Sequence, residues 1–337
     1  MRDLLAEDIE NVISDPAVPW AELRGSSVLV TGATGTIGGA IIRVLGELNR
    51  RGYGIVIFAI GRNREKGMVL EKIKGVRFIA ADIREKLDVT ADYIFHCAAV
   101  AESVKMVSDP VGVIDTELAG GKNLLELARK NHIKGMVYTS SMEAYGILSL
   151  ESVTERDMGY LDLTKSRSSY PQAKRMMETL CNCYFAQYGL PVNIVRLGMT
   201  FGAGMDFTYD NRVWAQFARS VTNCSPIVLH TAGESLSAFA YITDALRGMF
   251  LVLLSPRHGE TYNVASVCIK IKDLAQRVAQ RFGLNVVIDL PENINAMGYA
   301  SEFMFPLNTR KLQKLGWQPL VTEVEEMFLK TIEGVTR

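Results

Sequence analysis

The stretch Val28-Leu29-Val30-Thr31-Gly32-Ala33-Thr34-Gly35-Thr36-Ile37-Gly38 decides the fold of this chain. Its apolar beginning predicts a buried strand over 27–31, and the apolar spacing that follows predicts a helix over 37–50. Three glycines stand between them at three-residue spacing. The first permits a turn that a side chain forbids, the second lets a ligand approach the main chain, and the third lets the helix pack on the strand. Glycines also occur in plain turns, but the N–H groups of a helix that starts here favour the pyrophosphate of a dinucleotide.

Bulk composition argues against several classes of protein. The chain has 337 residues, of which 48% are hydrophobic, and this is enough for a large core in one α/β unit or two joined domains. Its 37 basic and 37 acidic residues balance, so we expect no binding to nucleic acid or to an anionic membrane. The longest apolar runs, such as 55–60 and 249–254, are too short to span a bilayer. Five cysteines without metal-site spacing, together with the missing signal-peptide pattern, predict a cytoplasmic protein without a metal site.

The order of the predicted elements indicates a doubly wound α/β fold. After a helical leader in residues 1–25, strand patterns alternate with helical patterns that include 110–131 and 169–188. The strand patterns lie at 27–31, 55–60, 76–79, 93–96, 134–139 and 191–196. This alternation predicts a parallel sheet with helices on both faces.

The pattern loosens after Arg196, which predicts a second, smaller unit. We expect residues 26–196 to form the dinucleotide-binding domain, with residues 238–265 returning to it. Residues 197–237 and 266–337 are expected to form a C-terminal substrate-binding domain. Ligands of such folds bind at the carboxyl ends of the strands, between the two units.

Tyr170 and Lys174 lie four residues apart at the start of a predicted helix, so they share one face. An ammonium close to a phenol favours the phenolate, and we expect it to lower the pKa of Tyr170 from ~10 toward neutrality, as a general base requires. Ser140 and Ser141 end a strand at the ligand-binding edge, where a hydroxyl can hydrogen-bond the alcohol that Tyr170 deprotonates. On these residues alone, a solvated helix surface and serines of a plain loop remain the alternatives.

Together with segments elsewhere in the chain, these residues resemble the extended short-chain dehydrogenase/reductases of the nucleotide-sugar epimerase/dehydratase family. The matching segments occur in family order: Thr31–Gly38, Asp82–Arg84, His96–Ala99, Ser140–Gly146, Tyr170–Lys174, Arg196–Gly202 and Tyr241–Asp244. The resemblance implies a Rossmann-like doubly wound parallel sheet with a smaller C-terminal substrate domain. The segments Arg167–Arg175 and Asp210–Val213 are most similar to those of UDP-glucuronate decarboxylases and sugar-nucleotide dehydratases.

The resemblance implies a reaction through a 4-keto sugar. In the family's pattern, Tyr170 takes the proton from a sugar hydroxyl, Ser141 holds that hydroxyl, and Lys174 tunes Tyr170 and the nicotinamide ribose. The ketone acidifies the C5 hydrogen, so that water loss, decarboxylation or stereoinversion can follow. Glu143 stands where dehydratases and decarboxylases of the family carry a catalytic glutamate, and we expect it to act on this hydrogen. The alternative is a loop glutamate paired with a nearby cation.

The resemblance also implies a tightly bound NAD(P) and a nucleotide-sugar substrate. The expected cofactor contacts are Gly32, Thr34, Gly35, Thr36, Ile37, Gly38, Arg62, Asp82, Ile83, Ala98, Tyr170 and Lys174. The expected substrate contacts are Ser140, Met142 and Arg212, with Arg212 at the diphosphate.

The end of the second predicted strand bears on the choice of cofactor. It carries Arg62 and lacks the acidic residue of NAD-specific members. This favours NADP over NAD, because an arginine suits a 2′-phosphate; a plain surface arginine is the alternative. Relatives often dimerise through helices that correspond to 110–130 and 169–188, so a homodimer is expected.

Three residues depart from the family pattern. Met142 replaces an acid of the 4,6-dehydratases, and Ser237 replaces an arginine of the decarboxylases. Glu117 replaces an asparagine. The missing cation at 237 argues against decarboxylation and against the usual diphosphate contact. Dehydration, epimerisation and decarboxylation remain open, as do an NADP(H)-dependent reductase of a non-sugar substrate and a binding protein that has lost catalysis.

Overall fold

The computed structural model describes residues 3–208, 210–290 and 304–335. Within them, seven parallel strands form the central sheet. In spatial order these strands are β3 (Val76–Ala80), β2 (Val56–Gly61), β1 (Ser27–Thr31), β4 (Tyr93–His96), β5 (Gly135–Ser141), β6 (Val192–Leu197) and β10 (Thr261–Val264). The predicted doubly wound parallel sheet is confirmed. Its strand order reverses between β1 and β4, and such a reversal opens a ligand crevice at the carboxyl ends of the strands.

Helices cover both faces of this sheet. Their bounds are α1 (Leu4–Ile13), α2 (Thr36–Arg50), α3 (Arg64–Leu70), α4 (Ser103–Ser108), α5 (Pro110–Asn131), α6 (Ser169–Tyr188), α7 (Val213–Thr222), α8 (Ile242–Leu253), α9 (Ile271–Phe282), α10 (Arg310–Gln313) and α11 (Val324–Val335). No helix in the described ranges combines the length and the apolarity that a membrane crossing requires.

Two further small sheets lie apart from the central one. β7 (Met199–Phe201), β9 (Leu236–Tyr241) and β11 (Val267–Lys270) form the first, and β8 (Ile227–Leu229) pairs with β12 (Val286–Ile288) in the second. The segment 238–265, which we expected to return to the dinucleotide-binding domain, therefore begins in a small sheet. Its later part follows the expectation, because β10 pairs with β6. The division into two domains stays a prediction, and its ranges include residues 1–2, 291–303 and 336–337, which lie outside the described part.

The alternation of side chains along β1 builds two apolar layers. Val28 and Val30 belong to a core shared with α1, α2 and α8, whereas Leu29 belongs to a core shared with α5 and α6. All three are fully buried. Strand side chains that point alternately to opposite faces explain why this run is apolar throughout, as in a sheet covered on both sides.

The glycines after β1 are required by the local geometry. Gly32 has a φ of +65°, and a Cβ there would lie 2.7 Å from the carbonyl oxygen of Cys97. A Cβ at Gly38 would lie 2.4 Å from the carbonyl oxygen of Gly32. Both distances are far shorter than a van der Waals contact, so only glycine allows β1, the turn and α2 to pack as they do.

The leader contains α1 and packs on the core of the protein. Val12 and Trp20 are buried in the same cluster as Val28. The Tyr241 hydroxyl donates a hydrogen bond to Asp8 Oδ2 at 2.6 Å, and Lys330 Nζ lies 3.0 Å from Asp8 Oδ1. These contacts tie the leader to α11 and to the end of β9.

Candidate active site

A cavity of about 730 Å³ opens at the carboxyl ends of β1 and β4. Its lining includes the whole turn from Gly32 to Gly38, and Gly35 and Thr36 within it are exposed. A Cβ at Gly35 would approach only the carbonyl oxygen of Gly32, at 3.2 Å. An accessible main chain at the first turn of α2 fits the pyrophosphate of a dinucleotide, because the N–H groups of that turn have no partner inside the helix. Thr34 and Ile37 line the same cavity, as expected of cofactor contacts.

Three basic residues also line this cavity: Arg43, Lys66 and Arg212. Among the described residues, Arg43 has no hydrogen-bond or ion-pair partner, and burial lowers the pKa of its guanidinium. Its Nη1 would lie 3.3 Å from a Cβ at Gly39, so the cation lies near the first turn of α2. Sequence reasoning missed Arg43, because a single basic residue in a helix ordinarily faces solvent.

The leader forms one wall of the cavity. Leu5, Asp8 and Ile9 of α1 line it, and the Leu5 side chain lies 3.3 Å from the position that a Cβ at Gly204 would take. The leader therefore both packs on the core and covers part of this cavity. The sequence held no signal for this second role, since the contact depends on how α1 crosses α2 and α8.

Arg212 lies in the cavity lining but already has an anionic partner. Its guanidinium Nε lies 3.0 and 2.9 Å from the two carboxylate oxygens of Asp210. The side chain also stacks near Trp214, with the guanidinium carbon 5.5 Å from the ring centroid. A diphosphate at this position would compete with Asp210 for the arginine.

Tyr170 and Ser141 meet in a second group of residues, at the end of β5. Tyr170 is 7% exposed, and the Ser141 side chain lies close enough to its hydroxyl to lower the pKa of the phenol. The Ser141 hydroxyl also accepts a hydrogen bond from the Glu143 amide at 3.2 Å, which caps the 3-10 turn over Met142–Tyr145. The structure thus brings the predicted base and the predicted hydroxyl donor together. Neither side chain is among those that line the 730 Å³ cavity within the described residues.

The predicted pKa of Tyr170 was wrong in direction. Burial raises the pKa of its phenol above the ordinary value, and this outweighs the opposing effect of the Lys174 ammonium. The carboxylates of Glu143 and Glu117 raise it further, whereas the hydrogen bond with Ser141 lowers it. The spacing of Tyr170 and Lys174 identified the attraction between them but not the cost of desolvating a phenolate.

Lys174 lies in a fully buried polar cluster. Its Nζ is 5.6 Å from the centroid of the Tyr170 ring. It donates to the main-chain oxygen of Thr139 at 2.8 Å and to Glu117 Oε1 at 3.0 Å. The Tyr138 hydroxyl donates to the same Glu117 oxygen at 2.5 Å. The ammonium is therefore held by α5 and β5 as well as by its own helix.

Glu143 is paired with a cation. Arg167 Nη2 lies 2.9 Å from Glu143 Oε2, and the two side chains are 19% and 26% exposed respectively. This is the pairing that we gave as the alternative for Glu143. The carboxylate also lies close enough to Tyr170 to raise the pKa of its phenol, so its role in the chemistry stays a prediction.

Ser140 lies away from the place expected of a substrate contact. It is buried, and its hydroxyl donates to Glu178 Oε1 at 2.5 Å. Glu178 is also ion-paired with Arg196 at 2.6 Å. Both serines meet α6: Ser140 bonds Glu178 in the middle of that helix, whereas Ser141 lies near Tyr170 in its first turn. The Ser140 hydroxyl is thus engaged inside the core, and its role as a substrate contact stays a prediction.

Two of the departures from the family pattern touch each other. Met142 is buried with Tyr145 and Ala238, and its sulfur lies 3.9 Å from the Ser237 hydroxyl. Ser237 is fully buried. The positions that carry an acid or an arginine in the relatives thus form one neutral contact in this chain.

The remaining predicted cofactor contacts lie along the edge formed by β1–β4. Arg62 is exposed just after β2, and it contributes, after the larger effect of the Arg84 hydrogen bonds, to lowering the pKa of Asp82. Ile83 is buried against α5. The Ala98 amide donates to Thr31 Oγ1 at 3.3 Å.

Comparison with known proteins establishes the family. The chain belongs to the NAD dependent epimerase/dehydratase family, whose model matches residues 28–265. The resemblance predicted from the motifs is therefore confirmed. The helix α1 precedes the matched region.

Curated relatives and solved structures agree with this assignment. The chain is 26% identical to UDP-glucuronic acid decarboxylase 1 of Xenopus tropicalis, over 90% of this chain and 71% of the relative. It is also 26% identical to UDP-glucuronic acid decarboxylase 6 of Arabidopsis thaliana, over 87% of this chain and 84% of the relative. Its fold is shared with UDP-N-acetylglucosamine 4-epimerase of Methanobrevibacter ruminantium, with a TM-score of 0.79 at 20% identity over 93% and 99% of the two chains. The dTDP-glucose 4,6-dehydratase of Streptomyces venezuelae, solved with NAD, gives a TM-score of 0.77 at 21% identity over 92% and 97%.

Proposed function

We propose that this protein is an NAD(P)-dependent nucleotide-sugar dehydratase or epimerase that acts through a 4-keto sugar. One observation carries the proposal: the Tyr170 side chain lies close to the Ser141 side chain and 5.6 Å, at its ring centroid, from the Lys174 ammonium nitrogen. A tyrosine beside a hydroxyl and a buried cation is equipped to take a proton from an alcohol in its phenolate form, which the cation stabilises. Their place at the carboxyl end of β5 puts them on the edge of the sheet that carries the dinucleotide turn.

Each residue has a separate task in this reaction. Ser141 binds the sugar hydroxyl and orients its proton toward Tyr170, which removes it. Lys174 offsets the negative charge that develops on Tyr170. The bound nicotinamide supplies the acceptor for the hydride from the same carbon. The product of this step is a ketone next to the C5 hydrogen of the sugar.

Glu143 is the residue that we assign to the C5 hydrogen. Its amide donates a hydrogen bond to the Ser141 hydroxyl, and its carboxylate is close enough to Tyr170 to raise the pKa of the phenol, so it lies near the proposed base. Arg167 holds the carboxylate in place through an ion pair. A carboxylate beside a ketone can accept this proton, after which water can leave or the proton can return from the other face. Return of the hydride from the nicotinamide to the sugar would then complete dehydration or epimerisation and restore the cofactor.

Decarboxylation is the second candidate. Relatives at 25–27% identity carry the name UDP-glucuronic acid decarboxylase, and this favours it. The neutral contact between Met142 and Ser237 argues against it, because a sugar carboxylate would meet no cation there. Product mass separates the two, since loss of carbon dioxide and loss of water change it by different amounts.

We also propose that the cofactor site accepts NADP and that the protein is a homodimer. Exposed Arg62 at the end of β2 supports the first, since it can bind a 2′-phosphate. Exposed apolar side chains on α5 and α6 support the second, among them Val111, Ile114 and Met176. Met177, next to Met176 on α6, is buried against Gly121 within the subunit and is not part of this exposed surface.

The proposal is tested by product analysis of the protein and its Tyr170→Phe variant. Both are incubated with a panel of nucleotide sugars, and the products are separated by chromatography and identified by mass, since dehydration loses water whereas an epimer keeps the mass of its substrate. We expect the wild-type protein to form a dehydrated or epimerised product and the variant to form none while still retaining NAD(P). A variant with full turnover would overturn the assignment of Tyr170 as the base.

A further inference from the structure

Glu117 is the buried ion-pair partner of the Lys174 ammonium. Glu117 is 1% exposed, and Lys174 is 2% exposed. Glu117 Oε1 lies 3.0 Å from Lys174 Nζ and accepts the Tyr138 hydroxyl at 2.5 Å. A carboxylate so far from water is tolerated because it is both paired and hydrogen-bonded.

The balance of charges on Lys174 depends on Glu117. Burial alone favours the neutral amine and lowers the pKa of Lys174. The charge and hydrogen bond of Glu117 oppose burial, with smaller help from Tyr170 and Glu178, and the pKa ends above its ordinary value. Without the Glu117 carboxylate, the lysine would lose the counter-ion that keeps its proton in place.

We propose that Glu117 is a positioning residue of the reaction assigned above: its carboxylate keeps the Lys174 ammonium charged and fixed beside Tyr170. This inference rests on the proposed function, because it concerns how Lys174 is held beside the proposed base, Tyr170. Glu117 contacts no substrate atom in this scheme and acts only through Lys174. A neutral residue at position 117 would leave Tyr170 beside an amine that loses its proton at a lower pH than in the wild-type protein.

Other titratable groups face this cluster from every element that packs against it. They are His96 at the end of β4 and Cys97 directly after it, Tyr138 on β5, Glu143 and its partner Arg167 near Tyr170, and Glu178 and Cys181 on α6. Burial keeps His96, Cys97, Cys181 and Tyr138 neutral, as the directions of their pKa values show. Glu178 is bound to Arg196 rather than to Lys174. Glu117 is therefore the carboxylate in the described cluster that bonds the ammonium directly.

The direct test is to titrate Lys174 in the purified protein by carbon-13 NMR of labelled lysine, with the Lys174→Met variant used to assign its side-chain signal. In Glu117→Gln, which keeps the shape but removes the charge, we expect Lys174 to lose its proton about one pH unit or more below wild type. The alkaline limb of kcat/KM should move down by the same amount. If Glu117 had only a structural role, its substitution would lower activity or stability without shifting the NMR titration of Lys174 or the alkaline limb of kcat/KM.

Glu178→Gln is the matched control, because it removes another buried and ion-paired carboxylate, on the same helix as Lys174. We expect it to destabilise the protein while changing the Lys174 titration far less. Glu117→Asp keeps a carboxylate but holds it farther from Lys174, so Lys174 should lose its proton at a pH close to that of wild type. If Glu117→Gln does not fold, a small downward shift of the Lys174 titration in Glu117→Asp provides the test. A folded Glu117→Gln protein whose Lys174 titrates as in wild type would overturn the proposal. The NMR titration needs no substrate, so it stands even if the proposed reaction fails.

Discussion

The Met142 sulfur lies 3.9 Å from the Ser237 hydroxyl, so two residues that are far apart in the chain form one neutral contact at the edge of the proposed sugar site. Both side chains are buried. Because a carboxylate that finds no cation loses a charge-assisted hydrogen bond, this contact disfavours a sugar acid as substrate.

We therefore expect neutral hexose nucleotides to be turned over at least about tenfold faster than the corresponding hexuronates, since a charge-assisted bond contributes about 1.5–3 kcal/mol. Competition of the two substrates in one reaction, with products separated by mass, measures this ratio. A hexuronate that is consumed faster and releases carbon dioxide would show that the site binds the carboxylate elsewhere.

Substitution of Gly38 by alanine should disrupt the dinucleotide turn. The new Cβ would lie 2.4 Å from the carbonyl oxygen of Gly32, so we expect a loss of stability of about 1–3 kcal/mol and weaker cofactor retention. Denaturant unfolding and the cofactor content of the purified protein measure the two effects. Gly39→Ala is the control, because its Cβ would meet nothing closer than 3.3 Å. Equal behaviour of the two variants would argue that the close approach of α2 to β1 is unimportant.

Arg62→Ala should weaken NADP more than NAD. Loss of a charge-assisted bond to the 2′-phosphate costs about 1.5–3 kcal/mol, which corresponds to roughly tenfold or more in the dissociation constant of NADP. Calorimetric titration of protein stripped of its cofactor measures both constants. Arg77, an exposed arginine on β3, provides the control substitution. If Arg62→Ala changes the dissociation constants of NADP and NAD by the same factor, the preference for NADP is refuted.

Acid should destabilise the protein through His96. Burial, helped by the charge of Lys174, lowers the pKa of this imidazole from 6.5 to about 3. A group whose pKa is lower in the folded state stabilises the fold above its unfolded pKa and loses that contribution as the pH falls toward the folded value. We expect up to about 4 kcal/mol to be lost between pH 6.5 and 3 from this residue.

Urea unfolding of His96→Asn across this pH range checks the effect, since the variant should show a shallower loss than wild type. His132→Asn is the control: His132 is exposed, and its left-handed backbone suits asparagine. If the free energy of unfolding of His96→Asn falls with pH as steeply as that of wild type, other groups cause the acid sensitivity.

Local rules were enough to predict the parts of the site that lie close in sequence. The strand, the three glycines and the start of α2 follow from backbone sterics, and Tyr170 and Lys174 share a helix face by spacing. The pairing of Glu117 with Lys174 is different, because it joins two helices 57 residues apart. The effect of Lys174 and Glu117 on the pKa of Tyr170 depends on how deeply these side chains are buried, and the spacing of residues in the sequence does not predict burial. Sequence alone therefore gave the wrong direction for the pKa of Tyr170.

The same limit applies to the surroundings of the cofactor turn. Which of two consecutive serines faces the ligand depends on the register of β5, and Ser140 proved to face Glu178. The placement of α1 across the cavity and the burial of Arg43 depend on tertiary packing alone. The doubly wound parallel sheet was predictable because alternating strands and helices form few topologies.

The most direct test of the central claim is incubation of the protein with a nucleotide sugar in deuterated water. A 4-keto intermediate makes the C5 hydrogen exchangeable, so we expect deuterium at C5 of the sugar with wild-type protein. In Tyr170→Phe we expect none, although the protein should retain its cofactor. Product formed without deuterium at C5 would contradict removal of the C5 hydrogen by Glu143. Equal incorporation by the variant would contradict a reaction that begins with proton removal by Tyr170.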